Sequence, residues 1–198
     1  MRNYHLLWLL LLVFGCAALP AAPPPPPAVH TVAALPPYNH TGALLSIART
    51  SFGDLYAAPP EPVTVVDMLA AEARAQLARR GFTVVSPSVV EFALDYHTPD
   101  SVQKAAELAS RDKLEGNALY IEIRRWEPDV PTSPTFVTVT LAAALIDTAT
   151  GRVVWTTNRP ARPVPMPGPV NQWVASQLAT HKAVEDLLSS WRLEQPAS

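Results

Sequence analysis

The sequence predicts an α/β fold, more narrowly α+β, in which a single domain contains a mixed β-sheet that carries helices. In the first half, short apolar runs alternate with longer segments whose apolar residues recur every three or four positions, which is the helical spacing. After Gly116 the apolar residues alternate strictly along the chain, as in half-buried strands. The expected order is β–α–β–α–α–β–β–β–α, and helix-linked strands followed by adjacent strands are typical of one sheet packed against helices.

The first strand is expected at Val29–Leu35, because the prolines that follow it cannot donate to a sheet ladder. A helix is expected over Val63–Arg80, and its apolar face consists of Val66, Leu69, Ala70, Ala73 and Leu77. Phe82–Pro87 has the pattern of a short buried strand. We expect it to pair in parallel with the first strand, since a long helix connects the two.

Two shorter helices are expected next. The first covers Ser88–Leu94, and the second opens at Thr98–Ser101, where threonine can cap a helix and proline is tolerated at its first position. The apolar face of the second helix consists of Val102, Ala105, Ala106 and Ala109. The stretch from Ala43 to Pro62 is ambiguous and is left mostly unassigned.

The second half predicts a meander and a last helix. Two long strands are centred on Leu119–Ile123 and Val137–Leu145, and Asp147–Gly151 forms a tight turn in which aspartate accepts from backbone amides and glycine adopts positive φ. Val153–Thr157 is the returning strand. A proline-rich loop at residues 160–169 leads to a helix over Asn171–Arg192, whose inward residues are expected to be Val174, Leu178, Val184, Leu188 and Trp191.

The N-terminus has the layout of a bacterial lipoprotein signal. Arg2 supplies a positive start, an apolar run too short to cross a bilayer follows, and Val13–Cys16 resembles the site that is cleaved before an acylated cysteine. We predict a signal peptide at residues 1–15 and a lipid on Cys16. An ordinary signal cleaved near Ala18–Ala22 and an uncleaved anchor are the alternatives. Ala17 in place of aspartate favours the periplasmic face of the outer membrane over the inner membrane, by resemblance to the sorting pattern of such lipoproteins.

Residues 16–28 are predicted to be the lipidated cysteine and a proline-rich tether. Pro20 and Pro23–Pro27 favour polyproline II, which at roughly 3.1 Å per residue places the domain about 40 Å from the bilayer. A ligand for a proline-recognising partner is the alternative function of this run. The domain is expected to occupy residues 29–192, with a short tail at 193–198.

Composition excludes several function classes. Loss of Arg2 with the signal leaves 14 basic against 17 acidic residues, and no basic stripe occurs, so nucleic acid is not expected as a partner. The chain has one cysteine, and its acylation leaves no thiol for a disulfide, a nucleophile or a zinc site. No phosphate-loop, dinucleotide or serine-elbow motif is present, and the histidines lack metal-site spacing. We therefore predict no catalytic residue, no metal and no cofactor.

Three stretches occur in an order typical of a known family: LPPYNHTG at Leu35–Gly42, GNALYIEIRRWE at Gly116–Glu127 and LIDTATGRVVW at Leu145–Trp155. With the lipobox, this set resembles an uncharacterised family of bacterial lipoproteins that includes a meningococcal surface antigen. That family is similar in fold to the N-terminal domain of TolB, to CsgG and to LpoB. The resemblance implies a periplasmic, membrane-tethered accessory protein and carries no catalytic residue.

Two groups of residues are candidates for binding. Asn39, His40 and Thr41 follow the first strand, at the sheet end where open α/β sheets bind ligands, although asparagine and threonine also serve as turn caps. Tyr120, Trp126 and Trp155 are candidates for an exposed contact surface, with core packing as the alternative. Tyr120 and Trp126 are expected on the same strand face, opposite Leu119 and Ile123.

The leading hypothesis is a non-catalytic, lipid-anchored docking component of an envelope assembly of the secretion or transport type. Its expected partners are the membrane, through the lipid, and other envelope proteins, with CsgG-like lipoproteins among the candidates. The sequence leaves a homo-oligomer open. The rival functions are an LpoB-like regulator of a peptidoglycan synthase and a small-ligand or glycan binder that uses the Asn39 loop.

Overall fold

The computed structural model describes Pro23, Pro24, Pro26 and residues 29–47, 63–111, 114–168 and 170–191. The expected signal peptide, Cys16 and the expected tail lie outside the described residues. The strands are β1 Thr31–Ala34, β2 Tyr38–Asn39, β3 Ser46–Ile47, β4 Val63–Thr64, β5 Thr83–Val84, β6 Asn117–Pro128, β7 Phe136–Asp147, β8 Arg152–Asn158 and β9 Arg162–Pro165. The helices are α1 Val65–Arg79, α2 Pro87–Ala93, α3 Val102–Arg111 and α4 Gln172–Leu187.

One mixed sheet organises the domain, which confirms the predicted fold class. Its strand order is β5-β1-β6-β7-β8, with β2 added to β6 and β9 to β7. β1 pairs in parallel with both β5 and β6, whereas β6, β7 and β8 form an antiparallel meander. The predicted parallel pairing of the first two strands is therefore confirmed. β5 is shorter than predicted and lies at the sheet edge, where Thr83 is exposed.

Helices pack against both faces of this sheet. α1 and α4 cover one face, and their apolar side chains meet those of Leu119, Ile121 and Ile123 in β6. α2 and α3 cover part of the other face, where the core includes Tyr120 and Ile146. The layered arrangement explains why the central strands β6 and β7 are buried along most of their length.

α3 begins later than the sequence predicts. The Ser101 hydroxyl accepts a hydrogen bond from the Lys104 backbone N–H (3.2 Å), so serine caps the helix and Thr98 does not. Pro99 therefore precedes the helix. Its carbonyl accepts a hydrogen bond from the Tyr120 hydroxyl (3.2 Å), which connects this loop to the sheet.

The Asp147–Gly151 turn is confirmed in its chemistry. The Asp147 carboxylate accepts from the Ala149 N–H (3.0 Å) and the Thr150 hydroxyl (2.8 Å), and Gly151 has a φ of 67°. The proline-rich stretch predicted to be a loop at residues 160–169 contains a strand, because β9 pairs antiparallel with β7.

Prolines are compatible with β9 for a simple reason. The Met166 N–H donates to the Thr135 carbonyl (2.8 Å), and inward-pointing amides recur at every second residue of an antiparallel pair. The backbone amide of Val164 therefore also points to β7. Pro163 and Pro165 occupy the alternate positions, where an amide would point away from β7 and no hydrogen bond to that strand is lost.

α4 starts at the predicted place, with Asn171 as its cap (Oδ1 to the Val174 N–H, 2.9 Å). It ends at Leu187, and Trp191 beyond it is fully buried. The expectation that Leu178 faces inward is wrong, because its exposure is 37%. Val184 and Leu188 are fully buried, as predicted. The buried face of α4 also includes the small residues Ala175, Ala179 and Ala183.

A polar cluster connects α1 and α4. Glu72 Oε1 accepts hydrogen bonds from Gln76 (2.8 Å), Arg79 (2.8 Å) and the His181 ring (2.9 Å). Partial burial acts to raise the pKa of Glu72, but these hydrogen bonds outweigh it and hold the pKa below its ordinary value. Gln76 also donates to the His181 carbonyl (3.0 Å), so the cluster joins backbone as well as side chains.

Candidate functional site

The predicted Asn39 loop is a closed turn. Asn39 Oδ1 accepts from the Thr41 N–H (3.0 Å) and hydroxyl (2.7 Å), and its Nδ2 donates to the Ala43 carbonyl (2.9 Å). The Thr41 hydroxyl in turn accepts from the Ala43 N–H (3.2 Å). The polar atoms of Asn39 and Thr41 therefore stabilise the turn, which is the capping role that their sequence also predicts.

His40 is the member of this loop that points to the sheet. Its backbone N–H donates to the Ile123 carbonyl (2.9 Å), and its ring Nε2 lies 3.7 Å from Glu122 Oε1. Its ring meets that of Tyr38 edge-on, with centroids 4.6 Å apart. The predicted loop thus forms a wall beside the middle of β6.

Glu122 is a buried carboxylate with an exposed partner. Its residue exposure is 6%, and its Oε2 accepts two hydrogen bonds from Arg124, at 3.1 Å from Nε and 2.8 Å from Nη2. A buried charge needs such a partner. The pair is oriented along the strand, and Arg124 extends it to the solvent.

Tyr120, Trp126 and Trp155 do not form the exposed contact surface considered from the sequence. Their exposures are 0%, 7% and 6%, so all three belong to the core. The pairing of β6 with β7 shifts register between Ile123 and Arg125, and this irregularity reverses the alternation. Trp126 consequently packs in the α1/α4 core with Trp155, on the face opposite Tyr120.

The phenol of Tyr120 is in an environment that disfavours its ionisation. Burial raises the pKa of Tyr120 well above its ordinary value, and the nearby carboxylates of Glu122 and Asp100 raise it further. Its hydroxyl therefore stays a donor to the Pro99 carbonyl, and Tyr120 is part of the lining of the groove described next.

A groove of about 260 Å³ lies on the α2/α3 side of the sheet, beside the first residue of α3. Its floor contains the small side chains of Ala142 and Ala144, and Val102 of α3 forms one end. Its other lining residues are Tyr120, Glu122, Arg124, Ala143, Thr156, Thr157 and Asn158. The groove thus combines a floor of methyl groups with polar walls from β6 and β8.

β8 borders the groove, and none of the described strands pairs with its outer edge. The Arg159 N–H donates to the Leu141 carbonyl (2.8 Å), which identifies that position as hydrogen-bonded to β7. Because such positions alternate, the backbone N–H and C=O of Thr157 also point to β7. The backbone groups of Thr156 and Asn158 point to the other side, away from β7. Two exposed valines, Val153 (41%) and Val154 (40%), continue this edge.

A second feature joins the proline-rich segment to the domain. The Pro23 carbonyl accepts hydrogen bonds from Trp155 Nε1 (2.8 Å) and the Ser190 hydroxyl (2.9 Å). Trp155 meets Trp191 edge-on at 4.9 Å, and Trp191 meets Phe82 at 5.7 Å. The sequence predicts a semi-rigid tether over residues 16–28, and in the structure the Pro23 carbonyl of that segment contacts the domain.

Within the described part of the chain, no group of three or more His, Cys, Asp or Glu side chains is placed to hold a metal ion. None of the helices in the described ranges has the length and hydropathy to span a bilayer. Sequence reasoning missed both the groove and the Pro23 contact. A short run of alanines, which pair with Tyr120, Ile121 and Glu122, was the available signal for the groove, since small residues leave room above a sheet.

No protein-family model matches the chain, and no curated protein matches it. Among solved structures it is similar to lipoprotein GNA1162 from Neisseria meningitidis, with 16% identity, a TM-score of 0.47, and coverage of 81% of this chain and 98% of that one. It is also similar to PelC from Paraburkholderia phytofirmans, described as a dodecamer, with 15% identity, a TM-score of 0.45, and coverage of 88% and 96%. For LpoB from E. coli the identity is 20%, the TM-score 0.41, and the coverage 69% and 59%. The expected likeness to TolB and CsgG stays a prediction.

Proposed function

We propose that this chain is a non-catalytic docking protein of the cell envelope, in an assembly of the secretion or transport type. A lipid on Cys16 holds it at the periplasmic face of the outer membrane. The lipoprotein-like signal sequence at residues 1–16 supports this localisation. The described domain supports the docking role, because it presents a strand edge beside an uncovered groove.

The outer edge of β8 is the observation that carries the proposal. An edge strand with unpaired backbone groups and exposed valines is a template for an added strand. The proposed partner is an envelope protein with an extended segment that pairs with Thr156 and Asn158. One of its side chains then enters the groove above Ala142 and Ala144.

The experiment is site-specific crosslinking in the native envelope. A photoreactive amino acid at Asn158 is expected to give one defined adduct, and the same amino acid at Ala78, exposed on α1, is expected to give none. Thr156→Pro removes an outward N–H without breaking a bond to β7, and it should lower the adduct yield at least fivefold. Thr156→Val keeps that N–H and should preserve the yield.

Equal yields for Thr156→Pro and Thr156→Val would overturn strand pairing at β8, provided both variants melt as cooperatively as the parent. Equal adducts from Asn158 and Ala78 would overturn docking at this face. An adduct of twice the mass of the chain would identify a second copy as the occupant. A CsgG-like lipoprotein is another candidate, which mass spectrometry of the adduct would identify.

The rival functions have less support from the described residues. A small-ligand site at the Asn39 loop lacks free groups, because the side chains of Asn39 and Thr41 are engaged in the turn. An LpoB-like activator needs a long reach to the wall, and the contact of Pro23 leaves only six residues between it and Cys16. A rise in the transpeptidase activity of a peptidoglycan synthase on addition of this protein would revive that rival.

A further inference from the structure

The Pro23 carbonyl sits in a site built from two separate parts of the domain. Trp155 comes from β8 and Ser190 from the turn after α4, and both donate to the same oxygen. Trp155 is 6% exposed, so its indole N–H has little access to water as an alternative partner. A donor indole beside an aromatic cluster is the usual chemistry by which proteins hold polyproline II segments.

We propose that this site is a dock for the chain's own proline-rich segment, and that docking shortens the tether. The occupant is the segment around Pro23 and Pro26. The Pro26 carbonyl also accepts a hydrogen bond from the Val29 N–H (3.2 Å), so the segment contacts the start of the domain at a second point. Consecutive prolines suit this role because their stiff backbone loses little entropy on binding.

The dock changes how far the domain stands from the lipid. With Pro23 bound, the seven residue steps from Cys16 span at most about 25 Å. With the segment released as far as residue 28, a polyproline II tether extends about 40 Å. A docked segment therefore keeps the domain close to the membrane, and its release lengthens the reach without any new residue.

Distance measurement by spin labels tests this directly on the soluble mature chain, with Cys16→Ser so that no lipid is attached. One label is placed at Ala22→Cys, directly before Pro23, and the other at Gln177→Cys on the exposed side of α4. The parent is expected to show one narrow distance distribution. Substitution of Pro23–Pro27 by alternating glycine and serine keeps the carbonyls but loses the stiffness, and should broaden the distribution and shift it to longer distances.

Ser190→Ala removes one donor and should also broaden the distribution, whereas Ser189→Ala is the matched control. Ser189 accepts from Arg159 (3.4 Å) and has no hydrogen bond to Pro23, so its loss should leave the distribution unchanged. A second readout is hydrogen exchange at the Trp155 indole, expected to be at least tenfold faster in the glycine-serine variant.

A parent distribution as broad as that of the glycine-serine variant would overturn the proposal, as would equal effects of Ser190→Ala and Ser189→Ala. Repetition at a tenfold lower protein concentration excludes docking between two copies, because only that mode weakens on dilution. The experiment needs neither a lipid nor a partner. Failure here would therefore leave the proposed docking at β8 untouched, and failure of that docking would leave this result untouched.

Discussion

Gly116 is a position where one added methyl group should damage the fold severely. It has a φ of 81°, and a Cβ placed there would lie 2.5 Å from the Thr31 carbonyl oxygen and 2.8 Å from the Thr31 Cβ. The two chain segments meet where β6 begins beside β1. A methyl group at this point therefore forces the central parallel strands apart, and the clash is with backbone that cannot rotate away.

Two other glycines allow the magnitude to be separated into its parts. Gly42 has a φ of 70°, but no atom lies within 4 Å of the point that an added methyl group would occupy, so Gly42→Ala should cost only the left-handed conformation, about 1 kcal/mol. Gly116→Ala adds the clash, for a total of about 3 kcal/mol. Gly168 has neither a positive φ nor a close neighbour, and Gly168→Ala should be neutral or stabilise by about 0.5 kcal/mol.

Urea unfolding of the soluble mature chain measures all three variants. With a slope of about 2 kcal/mol per M, the midpoint should fall by about 1.5 M for Gly116→Ala and about 0.5 M for Gly42→Ala. Gly168→Ala should leave the midpoint within error or raise it slightly. Equal losses for Gly116→Ala and Gly42→Ala would refute the reasoning, because the close approach to Thr31 would then contribute nothing.

Three further changes test single interactions by the same unfolding assay. Tyr120→Phe removes the hydrogen bond to Pro99 and should cost about 1 kcal/mol with the slope unchanged. Thr180→Val should raise the free energy of unfolding by about 1 kcal/mol, because the buried Thr180 hydroxyl has no partner among the described residues. The lowered pKa of Glu72 means that its stabilising effect is present above about pH 4.5 and is lost as the pH falls through the folded pKa. The difference between the parent and Glu72→Gln should thus shrink from pH 6 to pH 3, and a constant difference would contradict it.

The spacing of apolar residues was sufficient to predict the main helices and strands. In α1 that spacing reflects the burial of one helix face. The long strands β6 and β7 were expected to be half-buried, but helices pack on both faces of the sheet and most residues of these strands are buried. Leu178 was wrongly predicted to face inward, because the buried face of α4 includes the small residues Ala175, Ala179 and Ala183, which are less apolar than leucine. β9 was not predicted either, because prolines argue against a strand unless their amide positions are known to point away from the neighbouring strand.

The candidate site was less predictable because it depends on register. Alternation alone puts Trp126 on the face of Tyr120, and only the irregularity after Ile123 moves it to the other side. The groove likewise depends on where α3 begins over the sheet, since Val102, the first residue of α3, is among its lining. Neither that position nor the contact of Pro23 with residues far along the chain leaves a local pattern in the sequence.

Trp155 belongs to β8, so the dock for Pro23 and the proposed strand-pairing edge share one strand. A segment held on Trp155 steadies β8 against β7, and loss of that hold should allow β8 to open more often. The amide of Thr157, which faces β7, reports this opening. In the glycine-serine variant of Pro23–Pro27 its hydrogen exchange should be several-fold faster than in the parent, whereas the amide of Leu77 within α1 should exchange at an unchanged rate. Equal acceleration at both amides would mean a global loss of stability, and no change at Thr157 would mean that the dock and the edge are independent.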